Sequence, residues 1–231
     1  MKKNIIAITT SRSDFGIFEE ILNKLNTSNK INLKIIVSGS HLDKKRNNSL
    51  LEIKKSKLKI SSSIQKKLRT TNNYFVSKLI ASYMESFSEI INKKKVDLLV
   101  VFGDRYELLS FVIPSIIFKI PILHIGGGEI TLGSIDDTIR HAITKFSNIH
   151  MVTHQLHKKR LIQLGEVKKN IFVIGSPGYE KVRKISLINK IKLQKILNFK
   201  FEKNNILITF HPTTNEIGKD KTYIDELLKS L

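Results

Sequence analysis

Residues 98–145 place polar clusters directly behind short apolar runs. Leu98 to Phe102 (LLVVF) leads into Gly103-Asp104-Arg105, and Ile122 to Ile125 (ILHI) leads into Gly126-Gly127-Gly128-Glu129. A third cluster, Asp136-Asp137-Thr138-Ile139-Arg140-His141, follows shortly after. Carboxylates so placed suit proton transfer, and arginines suit phosphate. The pattern recurs elsewhere: Ser11-Arg12-Ser13-Asp14 follows the first apolar run, Gly175-Ser176-Pro177-Gly178 closes a later one, and Phe210-His211-Pro212 follows the last. In open α/β sheets, ligands bind outside the carboxyl ends of the strands, so parallel strands would bring Arg12, Asp104, Glu129 and His211, with Asp136 at a helix start, to one crevice.

Taken singly, each cluster also has a structural account. Ser134 and Asp137 are spaced as a capping box, and Asp136 and Arg140, four apart, can pair on a helix surface. Ser11 to Asp14 can form a loop and an N-cap. His124 inside an apolar run reads as a hydrogen-bonded core histidine, and the seven histidines lack zinc spacing. Convergence at strand ends is what favours a site.

The elements that must hold these residues alternate between short β-rich runs and longer segments of helical period, the mark of βαβ units on a parallel sheet. The expected strands are 4–9, 33–37, 98–102, 122–125, 150–153, 171–174 and 206–209, and the expected helices 16–25, 74–92, 106–118, 136–146, 155–164, 181–197 and one from 222. Residues 39–71 are polar and basic without clear period, and read as a long loop with some helix. The expected fold is α/β, a Rossmann-like parallel sheet with helices on both faces. Two glycines and a proline at 175–178 suggest a boundary between a domain at 1–178 and a linker helix with the start of a second domain at 179–231. One strand and two helices are too few for a second core, so that second domain is expected to be incomplete.

Composition narrows the classes. At 231 residues, 41% hydrophobic and 26% charged, the chain can bury a full core. The longest apolar stretch, 108–125, is interrupted by Ser110, Pro114, Lys119 and Pro121, so no membrane span is expected. The N-terminal MKKNIIAITTSRSD fits a signal peptide poorly, and the absence of cysteine removes disulfide and thiolate chemistry, which makes a cytoplasmic location the default. The net charge of +20 comes from lysine spread along the whole chain, and the densest basic run, 54–69, has no interleaved aromatics and no nucleic-acid motif, so no nucleic-acid partner is expected. The charge would still attract an anionic ligand. No GxGxxG or P-loop spacing occurs, nor a GxSxG elbow. Neither a hydride-transfer cofactor nor an ATP cradle is therefore expected, and no metal. Acid/base chemistry on an anionic substrate remains.

Several strings resemble the hydrolysing UDP-N-acetylglucosamine 2-epimerases of bacterial sialic and legionaminic acid synthesis. They are GDRYE at 103–107, HIGGGEITLGSIDDTIRHAITK at 124–145, RLIQLGE at 160–166, VIGSPG at 173–178 and FHPTTNE at 210–216. The resemblance implies the N-terminal half of a two-domain fold of B-type glycosyltransferase kind, in which two Rossmann-like domains face each other across a cleft. It implies a nucleotide-sugar substrate, with UDP or GDP as the nucleotide, and a homodimer as the family's common assembly. It places Asp104 and Asp136 on acid/base carboxylates, Glu129 in support, His211 as a histidine from the second domain, and Arg12 on the arginine of the first loop. Arg105, Arg140 and Ser176 are the further substrate-binding candidates. Gly126 stands where the animal hydrolysing enzymes and the non-hydrolysing enzymes carry a catalytic glutamate. Two functions follow: elimination to a glycal and rehydration to the free 2-epimer, or, given Gly126 and the incomplete second domain, an inactive relative that binds sugar nucleotide or a partner.

Overall fold

The computed structural model describes residues 1–43, 49–56, 58–66, 72–210 and 220–231. Seven strands form one sheet: β1 (Lys3–Thr9), β2 (Ile31–Val37), β3 (Ile60–Ser63), β4 (Leu98–Phe102), β5 (Ile122–Ile125), β6 (Ile149–Val152) and β7 (Ile171–Val173). Their order is β3-β2-β1-β4-β5-β6-β7 and every pairing is parallel. Strand order reverses between β1 and β4, the switch point at which an open sheet of this kind leaves a crevice.

Alternation along β1 sorts the core into two layers. Ile6 and Ile8 face α3 (Asn73–Asn92), α4 (Leu109–Ile117) and α5 (Ile135–Phe146), meeting Tyr83, Phe87, Phe111 and Ile143. Ile5 and Ala7 face the other way, onto Phe15, Phe18 and Leu22 of α1 (Arg12–Thr27) and Ile53 of α2 (Leu50–Lys55). The α1 residues recur every three to four positions, so one stripe of the helix is apolar and the rest is polar. Each such side chain, fully buried, contributes about 1.5–3 kcal/mol. A smaller cluster joins Leu161 of α6 (Gln155–Gln163) to Val152 and Ile171. No helix among the described residues is long and apolar enough to cross a membrane.

Three expectations need correction. The 39–71 segment contains a strand, β3, which pairs with β2 at the sheet edge with a register shift between Ile35 and Ile36. Its sequence ISSS has one apolar residue and therefore no period-2 signal. The expected helix over 181–197 is two helices, α7 (Pro177–Lys184) and α8 (Lys190–Leu197), because Ile185 is extended and Asn189 accepts from the Lys192 amide at 2.9 Å to start the second. Residues 206–209 form no strand: Ile206 is 79% and Leu207 95% exposed, and among the described residues no strand pairs with them. A strand requires a ladder for its backbone groups, whatever its propensity. The last helix, α9, covers Asp220–Lys229.

Candidate active site

The carboxyl ends of β1, β4 and β5 open into two adjoining concavities that share Ser13, Asp14 and Asp104. The smaller, about 250 Å³, is lined also by Gly103, Gly126, Glu129 and Ser176. The larger, about 410 Å³, is lined also by Arg105, Ile135 and Asp136. Both lie at the topological switch point.

Asp104 follows Gly103, whose amide donates to the Ile125 carbonyl at 2.9 Å and thereby ties the β4 exit to β5. From β5, His124 steadies the same turn: its Nε2 lies 2.8 Å from the Gly103 carbonyl and its Nδ1 lies 3.2 Å from Thr144 Oγ1. A carbonyl only accepts, so Nε2 carries the proton and Nδ1 accepts from the threonine. Burial pushes the His124 imidazole down to about 4, which keeps it neutral near pH 7. It is the hydrogen-bonded core histidine that its apolar surroundings suggested.

Arg140 organises the other side. Only 4% exposed, it ion-pairs with Asp104 and donates to Asp137 at 3.2 Å, Thr131 Oγ1 at 2.9 Å and the Glu129 carbonyl at 2.9 Å. One buried guanidinium thus fixes the loops carrying Asp104 and Glu129, as five donors in a planar fork allow. The surface pair expected between Asp136 and Arg140 does not form, because Arg140 turns inward. Asp136 instead takes a hydrogen bond from Ser134 Oγ at 2.9 Å in the first turn of α5 and lines the larger concavity. Ser134 caps α5, accepting from the Asp136 amide at 3.1 Å.

Asp14 was legible only as part of a helix start. Ser11 caps α1, and Asp14, in its first turn, accepts from Thr10 Oγ1 at 2.9 Å and lines both concavities. Burial raises its carboxyl above the ordinary value, with the Ser11 hydrogen bond and Arg105 opposing. Its capping position, three residues after a serine, hid its cleft exposure in the sequence.

The remaining candidates divide. Arg105 chelates the buried Glu107 at 2.8 and 3.2 Å and lines the larger concavity; burial works against its charge, but Glu107 and Asp14 more than offset this and its pKa is raised. Ser176 caps α7, accepting from the Tyr179 amide at 3.4 Å, and lines the smaller concavity. Arg12 is exposed, pairs with Glu52 at 2.9 Å and lines neither concavity. His211 lies outside the described residues. Among the described residues no group of three His, Cys, Asp or Glu could hold a metal ion.

A parallel α/β chain with carboxylates gathered at its switch point belongs to the Rossmann-like class. Within that class, the UDP-N-acetylglucosamine 2-epimerase family matches residues 23–231, and the chain belongs to this family. It is 35% identical over its whole length to the GDP/UDP-N,N'-diacetylbacillosamine 2-epimerase (hydrolyzing) of Campylobacter jejuni, covering 60% of that protein. It is 31% identical, again over its whole length, to the UDP-N,N'-diacetylbacillosamine 2-epimerase (hydrolyzing) of Legionella pneumophila, covering 61%. The chain therefore spans about three fifths of the length of these curated relatives. The UDP-GlcNAc 2-epimerase of Neisseria meningitidis, solved bound to UDP-GlcNAc, superposes with a TM-score of 0.69 over 84% of this chain and 51% of that one; at 15% identity the likeness is one of fold.

Proposed function

We propose that the protein is a hydrolysing 2-epimerase acting on a nucleotide-activated N-acetylated amino sugar, with residues 1–178 as its first lobe and 179–231 as the connection to, and beginning of, a second. The observation that carries this reading is the gathering of Asp104, Glu129 and Asp136 around adjoining concavities at the switch point, in a chain of the 2-epimerase family. The diacetylated sugar in the names of the Campylobacter and Legionella relatives favours a substrate of that kind.

The chemistry follows from the acidity of C2. One carboxylate removes the C2 proton while the C1–O bond to the nucleotide breaks, giving a glycal and a nucleoside diphosphate. Water then adds its oxygen to C1, and C2 receives a proton on the opposite face, so the products are the free 2-epimer and the nucleotide. Asp104 and Asp136 carry the two transfers, with Glu129 supporting. The N-termini of α1 and α7, which open on the cleft at Ser13 and Ser176, suit a diphosphate. Gly126 offers no proton donor and favours a second reading, in which the chain binds sugar nucleotide without turnover.

Proton NMR of UDP-N-acetylglucosamine and its diacetylated 6-deoxy relative in deuterated water separates the two. Release of UDP with a free 2-epimer deuterated at C2 is the expected outcome, and Asp104→Asn and Asp136→Asn should each slow it by about 100-fold or more. Near-normal turnover in both variants would overturn the assignment of the two aspartates. Saturable binding with unchanged spectra for both sugars would establish the second reading.

A further inference from the structure

The carboxylate of Glu129 sits at the end of a hydrogen-bonded chain that leaves the cleft. Thr153 Oγ1, at the exit of β6, lies 3.2 Å from Glu129 Oε1 and 2.9 Å from Nδ1 of His157 in the first turn of α6. Glu129 and Thr153 line the smaller concavity; His157 stands behind them. The backbone on this side is held as firmly. Arg160, one turn further along α6, donates to the Gly128 carbonyl at 3.0 Å, and Arg140 holds the Glu129 carbonyl from the opposite side. Gly128 is pressed so closely onto α6 that a Cβ there would come within 2.7 Å of the His157 carbonyl oxygen.

A proton inventory gives this chain a direction. A threonine hydroxyl has a single hydrogen, and an ionised carboxylate only accepts. With Glu129 ionised, the Thr153 hydrogen points at Glu129, and His157 must supply the other hydrogen from Nδ1. When Glu129 takes up a proton and donates to Thr153, the hydroxyl turns to His157, whose Nδ1 becomes an acceptor and whose proton sits on Nε2. We propose that His157 is a positioning residue for the epimerisation, acting through Thr153 to fix the Glu129 carboxylate, and that its tautomer follows the protonation of Glu129. Burial lowers the His157 pKa, against the pull of Glu129, and so favours the neutral ring on which the inventory depends. The inference rests on the epimerase reading for its role in turnover and on the hydrogen-bond chain alone for the tautomer.

The test uses the full-length protein with ¹⁵N-labelled histidine rings, near pH 7 and without substrate, with His157→Asn identifying the His157 signals. Long-range ¹H–¹⁵N correlation should find His157 protonated on Nδ1 in the wild type and on Nε2 in Glu129→Ala, where the threonine is free to donate to the ring. Protonation on Nε2 in the wild type, or one unchanged tautomer in both proteins, would overturn the relay. In turnover, His157→Phe should lower kcat about tenfold with KM within about twofold, and His157→Asn, whose amide nitrogen can stand in for Nδ1–H, should recover most of the loss. A normal kcat in His157→Phe, or failure of His157→Asn to recover, removes the positioning role. Absence of turnover on every nucleotide sugar would instead refute the epimerase reading, while the tautomer result stands or falls independently.

Discussion

At the scale of single residues, the glycines after β5 show how space and backbone conformation divide the cost of a side chain. Gly126 and Gly128 both have positive φ, 91° and 81°. A Cβ on Gly126 would meet nothing nearer than the Gly103 amide nitrogen at 3.8 Å, whereas on Gly128 it would strike the His157 carbonyl and Leu161, both at 2.7 Å. Gly126→Ala should therefore cost about 1–2 kcal/mol, the conformational term alone. Gly128→Ala should add about 1–3 kcal/mol of overpacking and displace the Glu129 loop. Urea denaturation of the two variants measures the difference; equal losses would mean that α6 does not press on the loop. Arg140 makes a related point. Any helix surface could display it, and its value to the site comes from facing inward, where it joins the loops of Asp104 and Glu129.

At the scale of elements, α7 ties a cleft-lining residue to the first helix of the chain. Lys181 donates to the Gly16 carbonyl at 2.9 Å and to Glu19 at 2.7 Å, and Lys184 pairs with Glu20 at 2.8 Å. Ser176, at the head of α7, faces the cleft. Lys181 is about one-third exposed, so its pair contributes modestly, and Lys181→Ala should cost about 1 kcal/mol. Hydrogen exchange should show faster exchange confined to 177–184; unchanged exchange there would show that apolar packing alone holds α7. The boundaries of α3 and α5 were legible because amphipathic period and a cap such as Ser134 are local signals, whereas α1 begins at Arg12, a turn before the expected start at Gly16. β3 was not, since its pairing with β2 supplies an order that its own serines do not announce.

At the scale of the whole molecule, buried histidines set the response to acid. His124 is held by Gly103 and Thr144, and His41 by Thr9 and Ser49 at 2.9 Å each; burial lowers both from 6.5 to about 4. The unfolded chain binds these protons more readily than the folded one. Their stabilisation is therefore complete above pH 6.5 and is lost as pH falls from about 6.5 to about 4. Each accounts for roughly 3 kcal/mol as an order of magnitude. Urea midpoints measured across that window should fall steeply in the wild type and less steeply in His41→Gln and His124→Gln. A wild-type midpoint that stays flat from pH 6.5 to 4 would contradict the burial of both rings.

Apolar period and strand-end clustering, which depend only on neighbours along the chain, were enough to derive a parallel α/β sheet with Asp104 and Glu129 at its carboxyl edge. Family strings identified its relatives. Tertiary structure alone decided which side chains meet. Asp104 and Arg140 are 36 residues apart and pair because adjacent strands and a helix bring them together. Asp14 faces the cleft because α1 starts at the switch point, and Arg12 turns to Glu52, which no spacing foretold. Local sequence sets the period of an element, whereas the direction a polar side chain takes depends on which distant partner can satisfy it once the sheet has assembled.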